Sequence, residues 1–109
     1  MAETFKALGQ INPSAATLTT GYTVPGATSA VVSTVVIANR SATATSFRIS
    51  VAVAGAADNN IQYLFYDTPI KGNDTITATL GISLATTDVV RVYATLATLS
   101  FNIFGVEIT

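Results

Sequence analysis

Apolar and polar residues alternate with a period of two along most of the chain, the spacing of side chains on a half-buried β-strand. Phe47, Ile49, Val51 and Val53 fall on one side, with Ser46, Arg48, Ser50 and Ala52 on the other. Ile76, Ala78 and Leu80 alternate with Thr75, Thr77 and Thr79. Val90, Val92, Ala94 and Leu96 alternate with Val89, Arg91, Tyr93 and Thr95, and Leu99, Phe101 and Ile103 with Ser100, Asn102 and Phe104. The stretch 30–38 is apolar on both faces, as a central strand covered on each side would be. No long segment repeats apolar residues at i, i+3, i+4 and i+7, and the many β-branched residues work against helix.

Turn residues separate these runs at short intervals: Asn12-Pro13-Ser14, Pro25-Gly26, Asn39-Arg40-Ser41, residues 55–60, residues 69–74 and Thr86-Thr87-Asp88. Each supplies a fixed proline φ or a residue that tolerates left-handed backbone. The pattern predicts an all-β chain, an antiparallel β-sandwich of about eight strands, Ig-like or jelly-roll-like, as one domain over residues 1–109. Gly105 is predicted to mark a bulge in the final strand that turns Val106 and Ile108 back to the core. The pattern leaves open whether residues 1–10 form a strand of the same sandwich or an arm reaching a neighbour.

Composition changes the functional picture. Charged residues make up 10% of the 109 residues, against about a quarter in a usual soluble domain. Histidine and cysteine are absent, so the usual proton shuttle, thiolate nucleophile and soft-metal ligands are missing. A serine triad has no base, and Lys6 and Lys71 read as solvated lysines. Asp58, Asp67, Asp74 and Asp88 are expected at strand ends or in turns, where aspartate accepts local backbone hydrogen bonds. Asp58-Asn59-Asn60 lacks the spaced acids of a calcium loop. No catalytic residue, metal site or cofactor is predicted. The chain reads as something that packs.

With a net charge of −1, the chain has no basic footprint for nucleic acid. Apolar runs such as Val35-Val36-Ile37-Ala38 fall far short of the ~18 residues a membrane helix needs. The opening Met1-Ala2-Glu3-Thr4-Phe5-Lys6 lacks the order of a signal peptide, so a complete, unprocessed chain is expected. A surface this poor in charge favours association, so a homo-oligomer is expected. The aromatic run carries the strongest candidate interface. Ile61, Tyr63 and Phe65 are assigned to the core face, and Leu64 and Tyr66 to an outward face. Arg48 and Arg91, on the polar sides of their strands, join Leu64 and Tyr66 as interface candidates, with a surface ion pair expected of the arginines.

The order of these pieces resembles small virion structural proteins of tailed bacteriophages. The resemblance rests on Leu8-Gly9-Gln10, on Tyr22-Thr23-Val24-Pro25, and on a valine-rich strand over residues 30–38 that ends in Asn39-Arg40. It continues through Phe47-Arg48-Ile49-Ser50-Val51, Asp67-Thr68-Pro69-Ile70, residues 84–94 and Phe101-Asn102-Ile103-Phe104-Gly105-Val106-Glu107-Ile108. These are strand and turn patterns, and they cover nearly the whole chain. The resemblance implies a β-sandwich on the particle exterior: a capsid cement or decoration protein, or alternatively a tail-fibre or baseplate module that binds a host receptor or glycan. It implies as partners the chain itself and the major capsid protein or another virion protein, and it offers no catalytic residue. The short length favours a separate capsid-bound subunit.

Overall fold

The alternating segments form eight strands in the computed structural model, which describes residues 2–109; Met1, the first residue of the predicted N-terminal segment, lies outside the described residues. They are β1 (Glu3–Ile11), β2 (Thr19–Thr23), β3 (Ser29–Asn39), β4 (Thr45–Ala52), β5 (Tyr63–Ile70), β6 (Thr75–Leu84), β7 (Val89–Ala94) and β8 (Leu99–Ile108). One sheet has the order β1-β8-β3-β6 and the other β2-β7-β4-β5. The antiparallel pairs β1–β8, β2–β7, β3–β6 and β4–β5 show the connectivity: one long hairpin rolled onto itself, the jelly-roll arrangement. Of the two sandwich types expected, the Ig-like order is excluded. Residues 3–11 pair with β8, so the N-terminal segment is a strand of its own sandwich.

Between the sheets lie Val32, Val35, Ile37, Phe47, Ile49, Val92, Leu99, Phe101 and Ile103, all fully buried. Phe101 meets Phe47 edge-on across the core, with ring centroids 6.1 Å apart. Three apolar residues assigned to strand faces lie elsewhere. Val53 and Ile61 sit in two short 3-10 turns between β4 and β5, and Leu96 in the turn after β7; all three are exposed. Alternation cannot distinguish the last residue of a strand from the first residue of a loop.

The bulge predicted at Gly105 is displaced onto its neighbours. β8 runs without an extra residue, while Leu8 on β1 is inserted opposite the Ile103–Phe104 step and Ser33 on β3 opposite the Phe104–Gly105 step. Leu80 and Gly81 on β6 are inserted opposite Ser33, with Gly81 at φ +64°. This seam of bulges crosses the sheet and bends it. Gly105 is required there because a Cβ would run into the Val31 carbonyl oxygen. Since β8 keeps its phase, Glu107 and not Val106 or Ile108 faces inward. The Tyr22 hydroxyl donates to Glu107 Oε2 at 2.6 Å from the opposite sheet, and Lys6 Nζ donates to Oε1 at 3.1 Å.

Phe104, Val106 and Ile108 therefore face outward, beside Phe5 and Val31, which oppose Val106 on either side. The outer face of β3 is half-exposed at Val31 and Val36, so the strand expected to be covered on both sides is covered on one. Within these four strands, Glu3 is the only charged residue on the outer face, since Lys6 and Glu107 share the inner side with Gly105 and Val32.

Candidate binding face

The second sheet presents a different outer surface, and local irregularity in β5 creates it. Between Phe47↔Thr68 and Ile49↔Phe65, the single residue Arg48 faces two residues of β5, Tyr66 and Asp67. Asp67 adopts φ +47°, a left-handed conformation that aspartate accepts more readily than most residues. Two side chains thus converge on one arginine. Arg48 Nε donates to Asp67 Oδ1 at 2.6 Å and a terminal nitrogen donates to Oδ2 at 3.3 Å. The Arg48 guanidinium carbon lies 4.2 Å from the Tyr66 ring centroid and 4.3 Å from that of Tyr93, its β7 neighbour.

Tyr63 extends the cluster, edge-on to Tyr66 at 5.0 Å and 88°. The sequence pattern placed Tyr63 on the core face with Phe65. A second bulge, at Leu64, moves it to the outer face opposite Ser50, while Phe65 turns inward and packs against Phe47. Burial raises the Tyr63 hydroxyl above its ordinary pKa, and the Asp58 carboxylate adds to this. Bonding to Asp67 raises the Arg48 pKa further still, so its charge is permanent.

Of the four interface candidates, the structure brings Arg48 and Tyr66 into contact. Arg91 lies on the same face but donates to the Gly55 carbonyl at 3.3 Å, pinning the β4–β5 connection. Asp88 Oδ1 pins the same segment by accepting from the Ala54 N–H at 2.9 Å. Leu64 is a half-exposed bulge residue on the edge strand, outside the stack. The expected arginine ion pair exists for Arg48, and Arg91 pairs with a carbonyl instead. Asp67 lies inside β5, not at its end. Sequence reasoning missed Tyr93, Tyr63 and Asp67 as members of the cluster. The available signal was Asp67-Thr68-Pro69, since proline and a left-handed-tolerant residue mark an irregular edge strand.

The cluster holds a cation, a carboxylate and three aromatic rings in fixed geometry. Val53, Ile61, Leu64 and Tyr66 are exposed on this side, Ile61 at 90%. Asn60, Tyr63 and Tyr66 line a shallow hollow beside the stack. Among the described residues no group of three or more histidines, cysteines, aspartates or glutamates is placed to hold a metal ion. The arrangement suits contact with another surface: apolar rings with polar tips, already ordered. No known protein family, curated protein or solved structure was found to match this chain.

Proposed function

We propose that this chain is a structural protein on the exterior of a tailed-phage virion, a capsid cement protein that binds the assembled shell. The observation that carries the reading is the clamped Arg48–Tyr66 stack with exposed Ile61 and Leu64 around it. Tyrosine and arginine are enriched where interface energy concentrates. An arginine already held at three points loses little freedom on docking. The sequence resemblance supports placement on a phage particle. The jelly-roll connectivity, which viral capsid domains also use, supports it at the level of architecture only.

Its partners under this reading are the major capsid protein or another virion protein, and copies of itself. The mechanism is mass action: a protein that binds only the assembled shell stabilises that state, and many copies multiply the effect. No chemistry is involved. Asp88 and Asp74 are engaged by backbone amides and Asp67 by Arg48, and the hydroxyls have no histidine to take a proton.

The hollow at Asn60, Tyr63 and Tyr66 favours a second reading, a tail-fibre or baseplate module that binds a host receptor or glycan. An aromatic ring beside a side-chain amide can take both the C–H face and a hydroxyl of a sugar. Particles lacking the protein separate the two. Heads that leak DNA on heating or osmotic shock, with normal adsorption to cells, are the outcome expected of a cement protein. Sturdy heads with lost adsorption would overturn that reading and establish the second.

A further inference from the structure

We infer that the outer face of the β1-β8-β3-β6 sheet is a self-association surface on which a second copy of this chain stacks face to face about a two-fold axis. The inference is independent of where on a particle the chain resides.

The edges of the sandwich are unsuited to pairing. β1 is interrupted by the Leu8 bulge, β6 by Leu80–Gly81, β2 by a bulge near Gly21, and β5 by its bulges and Pro69. Such irregularities disfavour strand addition from another chain. A face is better suited to contact than these edges.

This face is suited to burial. Its one end is apolar, with Phe5 78% and Phe104 38% exposed beside Val31, Val106 and Ile108. Its other end carries no charge, and part of its polar surface is already paired within the sheet. Gln10 Nε2 donates to Asn102 Oδ1 at 2.9 Å, and at the seam the Ser33 hydroxyl donates to the Phe104 carbonyl at 3.1 Å. Covering groups that are already bonded avoids the penalty of unpaired polar atoms.

The occupant follows from charge and area. A charged partner surface laid here would lose its water and find no counter-charge except Glu3 at one corner, which is costly. The opposite sheet of the same chain carries Arg48, Asp67 and Arg91 and fits poorly for that reason. The same face on a second copy, uncharged apart from Glu3 at the end of the edge strand β1, is the matching surface. A two-fold axis along the strand direction sets the apolar end on its own copy and the neutral end on its own. Four strands of about ten residues span about 20 by 30 Å. That footprint of about 600 Å² per copy meets the lower bound of a specific interface.

Analytical ultracentrifugation of the full chain tests this, with Phe104→Glu, Phe5→Glu and Ile61→Glu as variants. The wild-type protein should sediment at twice the 11.2 kDa chain mass in the micromolar range. Each phenylalanine variant should weaken self-association by about tenfold or more, since a carboxylate would be buried unpaired. Ile61→Glu, on the opposite side, should leave the dimer intact. Phe5 is so exposed that its replacement decides the matter even if Phe104→Glu fails to fold. A monomeric wild type, an assembly of three or more copies, a dimer indifferent to Phe5→Glu, or one dissolved by Ile61→Glu would each overturn the inference.

Discussion

Tyr22 on β2 and Glu107 on β8 join the two sheets through a 2.6 Å hydrogen bond at the end of the sandwich where the apolar core gives out. Burial and the neighbouring carboxylate push the Tyr22 hydroxyl well above its ordinary pKa. The same bond, and then Lys6, hold the Glu107 carboxyl below the usual range. Each group keeps its partner in the form it needs: phenol protonated, carboxylate ionised.

Tyr22→Phe removes the donor and keeps the ring. Loss of a hydrogen bond to a charged group should destabilise the fold by about 1.5–3 kcal/mol, read as a lower urea midpoint with an unchanged slope. An unchanged midpoint would mean that water replaces the hydroxyl without loss.

The pH dependence has a defined sign at both ends. Glu107 contributes stability that is complete above the unfolded carboxyl pKa of about 4.3 and is lost as pH falls through its lower folded value. Tyr22 contributes stability that is complete below about pH 10 and is lost as pH rises toward its raised folded value. Urea unfolding across pH should show both declines. Glu107→Gln should flatten the acid limb and Tyr22→Phe should reduce the alkaline one; parallel curves for the variants and the wild type would contradict the pairing.

Phe101→Ala should cost about 3–5 kcal/mol, because the ring is fully buried against Phe47 and β-strand backbones cannot close the cavity. Chemical denaturation measures it, and a loss under 1 kcal/mol, roughly the effect of a surface change, would place the ring outside the core.

Gly105→Ala should destabilise by about 1–3 kcal/mol although it adds one methyl group. The obstruction is the Val31 backbone, which cannot swing aside as a side chain could. Gly26→Ala meets no atom within 4 Å and serves as the neutral control. Equal melting temperatures for the two variants would refute the steric account.

Arg48→Lys should leave the fold within about 1 kcal/mol of wild type, since the Asp67 partner is half-exposed. It nonetheless removes the flat guanidinium between Tyr66 and Tyr93, which an ammonium cannot replace. If this face docks on the capsid, co-sedimentation of Arg48→Lys with stripped particles should weaken while the fold is retained. Undiminished binding by both Arg48→Lys and Tyr66→Ala would move the docking surface elsewhere.

Strands were legible because burial on one side imposes a period of two, and Phe47, Ile49, Leu99, Phe101 and Ile103 follow it faithfully. Bulges were not legible. One inserted residue at Leu64 exchanges the faces of its neighbours while the run still looks alternating, so the pattern alone puts Tyr63 inward and out of the cluster. Gly105 stands out in the sequence, yet its meaning depends on Leu8 and Ser33 in strands remote in sequence. Pairing partners are fixed by long-range packing, which no local pattern carries. The Arg48 cluster was half legible for the same reason: the arginine lay on a polar face, but Asp67 meets it only through the bulge.

The rolled hairpin also imposes an order of events in time. Strands β4 and β5 close the ten-residue connection 53–62, whereas β1 and β8 bring together residues about a hundred apart, down to the reciprocal bonds between Ala2 and Thr109. Loop closure is least costly for the innermost pair, and each completed pair shortens the effective loop of the next. Assembly should run outward from β4–β5 through β3–β6 and β2–β7, and it should be slow, as chains dominated by distant contacts are. Pulse-labelled hydrogen exchange should find the amides of β4 protected before those of β1; the reverse order would show that the hairpin is not wound from its centre.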